Sequence, residues 1–212
     1  MKSATESAEI GDVITAGGIE TNVHIRRHPT SSDTVLLLHG SGPGVSAFAN
    51  WRLTLPHLEQ EMTVIAPDIV GFGFTERPAD VSYDLETWTA HAVYVLDALG
   101  VARAHVVGNS FGGALALSLA AHHPHRVDRM VLMGAVGVRF DITRGLDSVW
   151  GYEPSVENMR AIMEFFAYDK SLLGDDLAEL RYQASIRPGV QEAFHAMFPE
   201  PRQAAPDALC LP

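Results

Sequence analysis

The stretch "HVVGNSFGGALALSLAAHHP", residues 105–124, passes from strand-like to helix-like sequence within five residues. His105 to Val107 is a short apolar run. It ends in Gly108-Asn109-Ser110-Phe111-Gly112, and the small-residue run Gly113 to Ala121 follows at once. The spacing Gly108-x-Ser110-x-Gly112 fits the G-x-S-x-G turn that presents a nucleophilic serine between a strand and a helix. Such a turn needs these residue types. The serine takes strained backbone angles, and small neighbours let the helix approach the strand. The hydroxyl then stands at the strand's C-terminal end, over a helix N-terminus that favours developing negative charge. The plainer alternative is a glycine-rich strand-to-helix turn with an idle serine.

Working outward, "DTVLLLHG" (33–40), "MTVIAPD" (62–68) and "RMVLMGA" (129–135) read, with "AHVVGN" (104–109), as continuous apolar strands covered on both faces. "GDVITAGGIETNVHIRRH" reads as a hairpin turning at Gly17-Gly18. Helices are predicted from near Trp51, from about Asp84 to Leu99, and from Ser110 to just before Pro124. In the second of these, Leu85, Trp88, Ala92, Leu96 and Leu99 share one face. Strands alternating with helices predict an α/β fold with a mostly parallel sheet and helices on both faces. After Val138, "SVENMRAIMEFFAYD", "DDLAELRYQAS" and "PGVQEAFHAMF" look helical and no strand follows. The expected organisation is an incomplete α/β core over 1–138, a helical cap over 139–200 and a proline-rich irregular tail over 201–212.

The chain has 212 residues, enough for one sizeable core, and 47% are hydrophobic. Its net charge of −11, with no basic run, argues against nucleic acid or an anionic membrane as partner. No apolar run is long enough to span a bilayer. The first ten residues lack the apolar stretch of a signal peptide, so a cytoplasmic location is expected. Cys210 is the single cysteine, which leaves no disulfide framework and no cysteine-based metal site. No cofactor is expected. The glycines of "HGSGPG" (39–44) lack the lysine of a phosphate loop, and no G-x-G-x-x-G with a ribose-binding acid appears.

That loop suits another task. Acyl-transfer chemistry needs N–H donors for a tetrahedral oxyanion. The residue after the nucleophile, Phe111, supplies one, and Ser41 is the best candidate for the other. His39, at the end of a strand, reads as a support for the loop rather than as a base.

With these residues in view the sequence resembles the α/β-hydrolase fold and, within it, the meta-cleavage product hydrolases of bacterial aromatic degradation. The pieces that carry the resemblance are "HGSGPGVSAFANWR", "APDIVGFGFTERP", "GNSFGGALAL" and "LAELRYQASI". Together they span roughly residues 9–202. The resemblance implies a serine hydrolase that cuts a carbon–carbon bond in a small anionic substrate, a 2-hydroxy-6-oxo-2,4-dienoate. Ser110 matches the nucleophile, and Ser41 and Phe111 match the oxyanion positions. Asn50 and Asn109 match polar residues around the substrate's dienol and carboxylate. Arg181 matches the arginine that engages the carboxylate, for which a guanidinium is suited. Two plainer readings stay open: Arg181 as a solvated helix residue, and Asn50 as a helix cap.

The resemblance also implies an acid and a histidine after the cap, in the chain order serine, acid, histidine. Neither has a counterpart here. Of the ten histidines, His195 in the cap is the one placed to face the cleft; Asp68 ends a strand near it, and Asp207 lies in the tail. The expectation is a family member cut short, by a frameshift near residue 202, with an exposed edge strand and marginal stability. A homo-oligomer in which a partner copy supplies the absent strands fits the same sequence. Two further readings compete: a serine esterase of the same fold, and a catalytically dead binding module.

Overall fold

A computed structural model describes residues 7–211, apart from the Leu172 side chain. The first six residues, part of the segment read as lacking a signal peptide, lie outside it. Six strands form one sheet: β1 (Asp12–Ala16), β2 (Ile19–Arg26), β3 (Thr34–Leu38), β4 (Thr63–Pro67), β5 (Ala104–Asn109) and β6 (Val127–Met133). Their spatial order is β1-β2-β4-β3-β5-β6. The β1–β2 hairpin and the β2–β4 pair are antiparallel, and β3–β4, β3–β5 and β5–β6 are parallel. The hairpin turns on Gly17 and Gly18, both with positive φ (60° and 86°), as a two-residue primed turn demands.

The helices are α1 (Ala47–Trp51), α2 (Leu55–Leu58), α3 (Leu85–Ala98), α4 (Phe111–His122), α5 (Arg144–Trp150), α6 (Val156–Phe166), α7 (Asp175–Ser185), α8 (Val190–Met197) and α9 (Ala204–Ala208). Alternate residues of a strand face opposite sides of the sheet, and the central strand shows it. Leu36 and Leu38 of β3 join Val106, Trp88, Leu96 and Leu115 in the larger core. Val35 and Leu37 of the same strand pack with Val64, Trp51 and Leu55 on the other face. Helices on both faces explain why these strands read as unbroken apolar runs.

Two expectations need correction, and one helix is additional. The helix expected to begin near Trp51 ends there: the Ser46 hydroxyl caps α1 by accepting from Ala49 N–H at 3.1 Å. Helix α5 was not foreseen. It is seven residues long, too short for a clear period, and is started by the Thr143 hydroxyl accepting from Leu146 N–H. The tail read as irregular carries α9, a five-residue helix of the kind that tertiary contacts rather than propensity stabilise. Leu209 is buried there. The Gln203 amide accepts from Ile142 N–H at 2.7 Å and donates to the Phe140 carbonyl at 3.0 Å.

Strand β6 is an edge. Val131, Leu132 and Met133 are 56%, 40% and 48% exposed, a contiguous apolar strip on a strand with no partner on its outer side among the described residues. Such an edge is a template for strand pairing between molecules. The 212-residue chain is therefore expected to associate with rising concentration, and Val131→Lys to shift it toward monomer in sedimentation velocity. A wild-type chain that stays monomeric at high concentration contradicts this.

Candidate active site

The strand-to-helix turn sits where β5 meets α4. Ser110 has φ 52° and ψ −113°, the single positive φ at a non-glycine position among the described residues. A side chain held there costs on the order of 1–3 kcal/mol and persists only when its surroundings over-determine it. They do. Ser110 N–H donates to the Met133 carbonyl at 2.9 Å, and the Ser110 carbonyl accepts from Gly113 N–H and Val136 N–H at 2.9 and 3.1 Å. The flanking glycines are sterically required: a Cβ on Gly108 would overlap the Gly112 carbonyl oxygen, and one on Gly112 would overlap the Leu38 carbonyl oxygen. Phe111 is fully buried, edge-on to Trp88 with ring centroids 4.7 Å apart. As the first residue of α4, its N–H has no acceptor within the helix.

Ser110 opens into a cavity of about 860 Å³ between the sheet's C-terminal edge and the cap helices. Ser41, Asn50, Asn109 and Arg181 line the same cavity, whereas Phe111, also singled out in the sequence, is buried and not part of its wall. Leu146, Val149, Met159, Ile162 and Leu180 give it an apolar wall.

Asn50 organises the floor. Its side-chain oxygen accepts from Gly40 N–H and from the Asn109 amide, both at 3.0 Å. The helix-cap alternative for Asn50 fails, because Asn50 lies inside α1, which Ser46 caps, and the helix that follows, α2, has Thr54 at its N-cap position. Ser41 is buried, and its hydroxyl accepts from the Trp150 indole N–H at 2.9 Å. Trp150 in turn stacks on Phe198 at 4.5 Å. Arg181, on α7, is 17% exposed and so is no solvated helix residue. Its guanidinium donates to the Gly44 carbonyl at 2.6 Å and pairs with the Glu9 carboxylate at 3.1 Å.

His39 supports the loop as expected. It lies buried between the Gly40 carbonyl at 2.8 Å and Ile69 N–H at 3.0 Å, so the ring is neutral with its proton on Nδ1. Burial holds its pKa down at about 4. Asp68 does not face the cleft. It is buried and accepts from Ala47 N–H, Phe74 N–H and the Asn22 amide at 2.6, 2.8 and 2.7 Å, fixing the loops after β3 and β4. Burial pushes its pKa up to about 6 against the pull of those three donors. His195 and Asp207 are exposed and absent from the cavity wall. Among the described residues no histidine lines the cavity, and Glu9 is its sole acidic group. No cluster of three or more His, Cys, Asp or Glu groups suited to a metal ion occurs among them either.

Sequence reading missed Glu9, Ser46 and Trp150. Glu9 belongs to no motif and meets Arg181 from 172 positions away. Trp150 lies in the stretch where no helix was foreseen, and its aromatic character was the one available signal.

Comparison with known proteins agrees with the geometry. The family described as alpha/beta hydrolase fold matches residues 33–204. A 2-hydroxy-6-oxo-2,4-heptadienoate hydrolase of Pseudomonas putida is 61% identical over 203 residues, 96% of this chain and 72% of that protein. A 2-hydroxymuconate semialdehyde hydrolase of Pseudomonas sp. strain CF600 is 56% identical, over 99% of this chain and 73% of that protein. The solved structure of the meta-cleavage product hydrolase CumD from Pseudomonas fluorescens IP01, complexed with acetates, superposes with a TM-score of 0.94. It is 56% identical and covers 97% of this chain and 75% of that one. No helix among the described residues is long and apolar enough to cross a membrane. The chain belongs to the α/β-hydrolase fold family and, within it, to the meta-cleavage product hydrolases.

Proposed function

We propose that this chain serves the hydrolysis of a 2-hydroxy-6-oxo-alkyl-2,4-dienoate, in the cytoplasm, to 2-hydroxypenta-2,4-dienoate and a short carboxylic acid. The observation that carries the reading is the cavity itself, with Ser110 on its strained turn at one point of the wall and Arg181 at another. In this reading the Arg181 guanidinium holds the substrate carboxylate. Asn50 and Asn109 steady the dienol as it ketonises, which creates the electron sink for the departing carbanion. The N–H groups of Ser41 and Phe111 receive the oxyanion formed at the C6 ketone. Ser110 either attacks that ketone or orients the water that does. The leaving carbon takes a proton, and water supplies the hydroxyl of the acid product.

The Ser110 proton needs an acceptor, and no described histidine is hydrogen-bonded to it. That favours a second reading, in which the cavity binds the dienoate without turning it over. Mixing the chain with a yellow 6-alkyl ring-cleavage product and following loss of the dienolate colour separates the two. The hydrolase reading expects decay that disappears in Ser110→Ala. A bound, colour-shifted dienoate without decay supports the second reading. Neither decay nor binding overturns both.

A further inference from the structure

We propose that Glu9 is an internal stand-in for the substrate carboxylate, occupying Arg181 in the empty site and displaced from it when an anionic ligand enters. The inference rests on the reading of Arg181 as the carboxylate-binding group.

The geometry points to a side chain aimed on purpose while its backbone stays fixed. The Glu9 carbonyl accepts from the Asn22 amide at 3.0 Å and lies 3.1 Å from His24 Nε2, so the main chain is tied to β2. The carboxylate reaches away into the cavity wall. One oxygen takes Arg181 Nη1 at 3.1 Å, and the other accepts from the Ser46 hydroxyl at 2.6 Å. Both charged side chains are mostly withdrawn from water, 16% and 17% exposed. Nothing else in the cavity offers Arg181 an anion, since Glu9 is the sole acidic group among the lining residues described. Arg52, the other arginine of the wall, is exposed and donates to the Ala49 carbonyl at 2.8 Å.

Two consequences follow from charge alone. A ligand carboxylate on Arg181 would lie beside that of Glu9, and like charges in a partly desolvated site repel. The ligand therefore has to break an existing ion pair before making its own. Glu9 lowers the affinity for every anion while keeping the guanidinium oriented and paired when the site is empty. Glu9 would thus be a positioning residue that sets the threshold for anion binding, not a group that touches the reacting atoms.

The test is a calorimetric titration with hexa-2,4-dienoate, a conjugated carboxylate with no bond to cleave, and with its neutral amide as control. Glu9→Gln preserves shape and removes charge. Glu9→Asp keeps charge but draws the carboxylate back by one methylene. Glu9→Gln is expected to bind the carboxylate about fivefold more tightly than wild type, the scale of one partly exposed ion pair, and Glu9→Asp to gain less because its charge remains, with no change for the amide in either. Equal or weaker binding in both, with Arg181→Gln losing affinity as expected, overturns the role of Glu9 and leaves that of Arg181 standing. No loss in Arg181→Gln overturns the reading of Arg181 itself, and with it this one.

Discussion

Gly112→Ala is expected to destabilise the fold by more than about 4 kcal/mol, the range reserved for a named structural failure. The added methyl would overlap the Leu38 carbonyl oxygen and stand 2.6 Å from its carbon and 2.7 Å from the His39 carbonyl oxygen. All are backbone atoms at the end of β3. That strand is paired on both sides, with β4 and β5, and cannot retreat without breaking two ladders. A flexible side chain could swing away; a central strand cannot. Since domains of this size are stable by only about 5–15 kcal/mol, little would remain. Gly100→Ala is the control. It adds the same methyl at a positive φ of 68° but into open space, so only the backbone penalty of about 1 kcal/mol applies. Urea unfolding of the three proteins reads the difference. Equal midpoints for Gly112→Ala and wild type would refute the steric account of the turn.

Acid is expected to remove about 3 kcal/mol of stability between pH 6.5 and pH 4, through two buried rings. His39 accepts from Ile69 N–H, and His91 accepts from Val70 N–H at 3.2 Å while meeting the Thr21 hydroxyl at 2.9 Å. Both are buried and neutral, with pKa values held down at about 4 by desolvation. The unfolded chain binds those protons at about 6.5, so stability is full above that pH and drains away below it. The gap amounts to about 3 kcal/mol for each ring. Asp68 works the other way. Its pKa, raised to about 6, lets the folded state take up a proton before the unfolded one, which returns about 3 kcal/mol over the same interval. The rings win because there are two of them. Urea midpoints measured from pH 7 to pH 4 should fall, and His91→Gln should flatten the slope. A level profile would show that the rings titrate near their ordinary values.

The parts of the site that were legible in the sequence are those encoded locally. Gly108-x-Ser110-x-Gly112 announces its turn because strand, strained residue and helix follow one another directly, and each glycine answers a steric need within that unit. The apolar runs of β3, β4 and β5 likewise declare a sheet buried on both faces. The Glu9–Arg181 pair left no local trace, because it joins a segment before β1 to a helix 172 residues later. The Trp150–Ser41 bond spans 109 residues and was equally silent. Helices α5 and α9 escaped notice because one or two turns cannot display a period. Asn50 was found by resemblance, but its task of taking the Gly40 N–H became visible only in three dimensions.

Gly44, with φ 66°, lies so close to α7 that a Cβ there would stand 2.5 Å from the Ala184 carbonyl carbon. The same glycine's carbonyl is the one that Arg181 grips. The loop bearing Ser41 and the helix bearing Arg181 are therefore a single mechanical block. On the roles proposed for them, that block is a molecular ruler between the carboxylate end of a ligand and its ketone. Such a ruler counts the carbons between the two groups and is indifferent to what hangs beyond the second. Discrimination would be strict in chain length and permissive at the far substituent, where the wall is built from Leu, Val, Met and Ile side chains that can repack.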